Sequence, residues 1–196
     1  MKYIDREFFN RNEKLFIIAF IIVFGSLIVT TLIGYLQAGD EYGRMSAVFN
    51  YMHSHNIPMN ATDVSGDSAL GYFIHNFIID LISILGGFLF SVFSVINVIH
   101  SSMIAGSYLG KDLMFGLVST IPHGIIEYLA SVFALTIAFI ITRAEVRIIK
   151  TRSFDGLKTD FKDILILFIL DIIFLAIAAF IEADITSLFV KFVYGL

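Results

Sequence analysis

Leu15–Leu36 reads LFIIAFIIVFGSLIVTTLIGYL, about 22 residues whose only polar groups are hydroxyls. At 1.5 Å per residue such a helix is long enough to cross roughly 30 Å of hydrocarbon. It is too long for the apolar core of a signal peptide, and no small-residue cleavage pattern closes it, so it reads as a retained first span.

The rest of the chain has the same character. Its 196 residues are 58% hydrophobic and only 15% charged, with a mean hydropathy of +0.87 and 21 phenylalanines. A soluble domain of this size carries about a quarter charged residues. The expected fold is therefore all-α: a polytopic transmembrane helical bundle of about five spans. There is no cysteine, which excludes disulfides and thiolate metal sites, and no tryptophan, which leaves tyrosine to supply an interfacial belt.

Working outward, residues 1–14 mix Lys2, Arg6, Arg11 and Lys14 with Asp5, Glu7 and Glu13. They read as a cytoplasmic amphipathic segment lying on the surface, with Ile4, Phe8 and Phe9 toward lipid. After the span 15–36 comes a polar loop, 37–69, with four acids against Arg44 alone. Asp63 and Asp67 within it lack the remaining ligands and closing Glu of an EF-hand. Residues 70–196 form the membrane core. Its expected spans are 71–93, 96–117, 121–141 and about 163–183, with broken or re-entrant helices around Gly106–Pro122. A basic loop, 142–162, separates the last two spans, and an apolar tail follows. The bias of Lys and Arg places that loop and the N-terminus in the cytoplasm, and the acidic loop and C-terminus outside. Basic charge of this kind also suits anionic lipid. No soluble domain presents a nucleic-acid-binding surface.

Ionisable groups are costly in hydrocarbon and mark functional candidates. His123 and Glu127 are four residues apart and share a helix face. Pro122 just before them suits the first turn of a helix, with Ser119 and Thr120 as caps, and Gly124 permits close backbone approach. Asn76 and Asp80 share a second face, Asn97 and His100 a third, and Asp171 and Glu182 nearly share a fourth, with Thr186 just beyond. A shared polar network of Asn76, Asp80, Asn97, His100, His123, Glu127, Glu182 and Thr186 satisfies these groups more economically than separate burial. Gly106 and Gly110 form a Gly-x-x-x-Gly step for close helix packing.

His123, Glu127 and Glu182 are also candidate ligands for a divalent metal such as zinc. The sequence has no His-Glu-x-x-His motif, and Ser101-Ser102 beside His100 is not the spacing of a hydrolase triad. No catalytic residue is assigned.

The run Ile121-Pro122-His123-Gly124-Ile125-Ile126-Glu127, followed by Ala130, resembles the signature of the stage II sporulation protein M family. Phe73 and Asn76 support the resemblance, as do Ala179-Phe180-Ile181-Glu182-Ala183 and Thr186. It extends from Leu70 to Phe189, with the first span as an extension. Asn97-Val98 and the later Gly106 depart from a glycine-richer family pattern in the third span. The resemblance implies an integral membrane protein that, in spore formers, recruits partners for engulfment and peptidoglycan remodelling, the hydrolases being those partners. It carries over Asn76, His123, Glu127 and Glu182 as a polar set. The expected function is a non-enzymatic membrane scaffold or envelope-organising protein, with lipid and other envelope membrane proteins as partners. The alternatives are a small dimeric transporter or channel using Glu127 and Glu182, and a metal-dependent membrane hydrolase.

Overall fold

The computed structural model describes residues 6–37, 68–111, 113–186, 188, 189 and 192. Most of the 37–69 loop and most of the apolar tail therefore lie outside the described residues, as does Ile4. Five helices are long and apolar enough to cross a membrane. They are α1 (Arg6–Gln37), α2 (Ala69–Leu85), α3 (Val92–Lys111), α4 (Leu113–Thr151) and α5 (Leu157–Phe180). A 3-10 turn, Gly86–Leu89, follows α2, and a π-helical turn, Ile181–Thr186, extends α5.

α4 is the most buried helix, and it touches all four others. Its inner face, from Ala130 through Ile141, holds Val132, Leu135, Ile137 and Ile140 away from any surface. Val23 and Ala19 of α1 and Leu167 and Leu175 of α5 complete the core. The outward faces carry Ile, Leu and Phe, among them Phe88, Phe90 and Phe93, which suits contact with lipid.

Three boundaries differ from the sequence expectation. Residues 6–14 are not a separate surface helix but run unbroken into the first span. Phe8 is buried against α4 and α5 rather than facing lipid, while Phe9 is exposed. The break expected within Gly106–Pro122 falls between α3, which ends at Lys111, and α4, which begins at Leu113, and Pro122 lies inside a continuous helix of 39 residues. Proline removes only the one hydrogen bond to the carbonyl of Val118, a loss that spanning helices tolerate. Ser119 accordingly donates to the carbonyl of Gly116 (3.2 Å) instead of capping a helix start. The 142–162 segment is also mostly helical: α4 continues to Thr151, and a five-residue link ends at Gly156, whose φ of 84° starts α5.

α1 and α3 run parallel and very close. A Cβ on Gly106 would collide with the Thr30 side chain, and one on Gly110 would sit 2.5 Å from the backbone of Thr31 and Tyr35. The Thr30 hydroxyl lies 2.8 Å from the carbonyl oxygen of Ser102 across this seam. The Gly-x-x-x-Gly step is thus used within the chain, by α1.

Candidate functional site

The polar side chains fall at three levels along the bundle. At one end, α1, α4 and α5 meet through opposite charges. Arg11 grips Asp163 through two nitrogens, at 2.9 and 3.2 Å, and Asn12 donates to the same carboxylate at 2.7 Å. Arg143 and Arg147 both donate to Asp160, Arg143 at 2.8 Å, and Arg143 also reaches the carbonyl of Arg11 at 3.0 Å. Ser91 and Thr142, 2.6 Å apart, fasten the turn after α2 at this same end.

In the middle lie Asp80 of α2 and Asp171 of α5, exposed by only 2% and 0%. Ser131 of α4 donates to Asp80 Oδ1 at 2.9 Å. The remaining Asp80 oxygen and both Asp171 oxygens meet no donor among the described residues, and the two carboxyl groups stand in electrostatic range of each other. Nearby, Asn97 donates to the Ile79 carbonyl (3.1 Å) and to Ser83 (2.9 Å), and Ser94 donates to the Ser83 carbonyl (2.6 Å). These contacts fix α2 against α3.

Toward the opposite end, His123 of α4 faces the π-helical turn of α5. Its Nδ1 lies 3.1 Å from Thr186 Oγ1, and its Nε2 lies 3.7 Å from Glu182 Oε1. Glu127 stands one turn further along α4. One ligand atom from each of His123, Glu127 and Glu182 falls within 4.8 Å of the others. Thr186 donates to the Ile181 carbonyl at 3.2 Å. In the tautomer where that proton stays there, the hydroxyl accepts from Nδ1–H and the Nε2 lone pair turns toward the carboxylates. The wide π turn lets Glu182 and Thr186 both reach the one imidazole, and turns of this type are frequent at functional sites.

Of the residues singled out from sequence, the structure gathers His123, Glu127, Glu182 and Thr186. Asp80 stands in electrostatic range of Glu127. Asn76 is half-buried one turn before Asp80. Asn97 serves the α2–α3 contact instead, and His100 is exposed on α3. Gly124 admits no neighbouring backbone: a Cβ there would first meet the Thr120 side chain of its own helix, 2.7 Å away. Pro122 is not a helix start. Sequence reasoning left Asp171 and Ser131 out of the network, along with the whole Arg11–Asp163 and Arg143–Asp160 assembly.

The family model for stage II sporulation protein M matches residues 14–187, which takes in the middle level, the His123 level and all of the first except Arg11 and Asn12. The chain belongs to that family. The stage II sporulation protein M match begins within α1 and so extends well before Leu70, where the sequence resemblance begins. No curated protein and no solved structure matches the chain.

Proposed function

We propose that this multi-pass membrane protein is a non-enzymatic scaffold or envelope-organising component, partnered by other membrane proteins of the envelope. The observation that carries this reading is how the polar side chains are spent. Arg11–Asp163, Arg143–Asp160, Asn97–Ser83, Ser91–Thr142, Ser131–Asp80 and His123–Thr186 each join one element to another. Groups used this way hold a bundle in one arrangement, which is what a platform for partners requires. The arginine-rich end supports an orientation with the N-terminus in the cytoplasm and the C-terminus outside. Gly106 and Gly110 are occupied by α1, so a homodimer would form through another face.

The chain has no cysteine, so single cysteines are specific probes. Ser131→Cys and Ser83→Cys, in cells or vesicles, are expected to resist a membrane-impermeant maleimide from both sides. Rapid labelling of Ser131→Cys would show water at mid-bundle and sink the sealed-scaffold reading. A transporter is the second reading, favoured by one observation: Asp80 and Asp171 place two carboxyl groups side by side deep in the bundle. Intramembrane carboxyl groups serve proton and ion pathways elsewhere. Proton flux into proteoliposomes that disappears in Asp171→Asn would establish it.

A further inference from the structure

We propose that His123, Glu127 and Glu182 bind a divalent cation of the zinc, manganese or iron type, which fastens the last turn of α5 to α4. The site is new with respect to the scaffold reading and independent of it, since either a sealed bundle or a carrier can hold such an ion.

Three features converge on it. The first is the donor set: an imidazole nitrogen and two carboxylate oxygens within 4.8 Å of one another, from two different helices. The second is the aim of the imidazole. His123 is 92% removed from the surface by its 8% exposure, and its Nε2 is 3.7 Å from Glu182 Oε1, beyond hydrogen-bond length. Ligands held at about 2.1 Å around a tetrahedral ion stand about 3.4 Å apart, so this spacing suits two atoms sharing a metal better than two atoms sharing a proton. The third is the grip on Nδ1. Thr186 Oγ1 stands 3.1 Å from it, holds the ring direction and can accept its N–H, as the outer partner of a metal-bound histidine does.

The electrostatics agree. Two glutamates stand together here, with Asp80 in range of Glu127, so added positive charge at this point is favourable. A cation supplies it at a point that both carboxylates reach. The mixed nitrogen and oxygen donors select a borderline transition ion over calcium or magnesium, which take all-oxygen sites. Three protein ligands leave further positions to water.

The test uses the full chain in detergent, stripped with EDTA and dialysed against zinc alone or manganese alone, with elemental analysis of the protein. One ion per chain is expected. Affinity should drop at least tenfold in Glu127→Gln and Glu182→Gln, which keep side-chain shape, and ten- to a hundredfold in Thr186→Val, which removes only the outer partner. Cobalt(II) should give a visible ligand-field band in the wild type that is lost in Glu182→Gln. Failure of folded wild type to bind either ion one-to-one overturns the proposal, and this readout stands even where a variant does not fold. Unchanged affinity in both glutamine variants overturns it equally.

Discussion

The two ends of α5 make opposite use of the carboxylate. Near its start, Asp160 and Asp163 are met by Arg147, Arg143 and Arg11, with Asn12 closing the remaining side of Asp163. From its middle onward, Asp171 meets Asp80, and Glu182 meets a histidine and Glu127. In the first, each carboxylate is met by arginine from within the protein. The second places like charges in range of one another, an arrangement that a bound cation would favour. The lesson is that the same residue type, on one helix, can be a structural tie at one level and a binding group at another.

Three substitutions would break or sharpen this contrast, each read as unfolding free energy in mild detergent. Asp163→Asn should cost the most, about 3 kcal/mol, because it strips the buried counter-charge from the two-pronged Arg11 contact. Asp160→Asn should cost less, about 1–2 kcal/mol, since its carboxylate keeps some exposure where that of Asp163 has none, the arginines of both being about equally exposed. Asp171→Asn should change stability by less than about 1 kcal/mol, or raise it, because the amide brings its own donors to face Asp80. Should Asp171→Asn prove as damaging as Asp163→Asn, the mid-bundle pair would be a structural tie after all, and the contrast would collapse.

Much of this was legible in the residues themselves. Apolar run lengths give five crossings, because the requirement for about 20 apolar residues per span is a strong constraint. The four-residue spacing of His123 and Glu127 puts them on one face, and their joint chemistry with Glu182 follows from the donor types. The boundaries were less legible. Pro122 suggests a helix start only while the start of α4 at Leu113 is unknown, since proline's cost within a long buried helix is a single hydrogen bond. Arg143 and Arg147 look like topogenic charges in sequence, because nothing local reveals that Asp160 folds back onto them from the next helix. Asn97 and His100 share a face in principle, yet the packing of α3 turns one toward Ser83 and leaves the other outside. Which face of a helix meets which neighbour is a tertiary fact.

The length of α4 has a consequence of its own. Its 39 residues make a rod of about 58 Å, while the hydrocarbon of a bilayer is about 30 Å thick. With Arg143 at one hydrocarbon boundary, the other would fall about 30 Å away along the helix, at His123. An upright α4 would therefore lift Leu113 through Ile121, including exposed Met114, Leu117 and Ile121, out among the lipid headgroups. Leaning the bundle, or thickening the leaflet around it, returns them to the acyl chains. Bilayer thickness thus becomes a mechanical variable for this protein, and thick and thin membranes would set α4 at different angles.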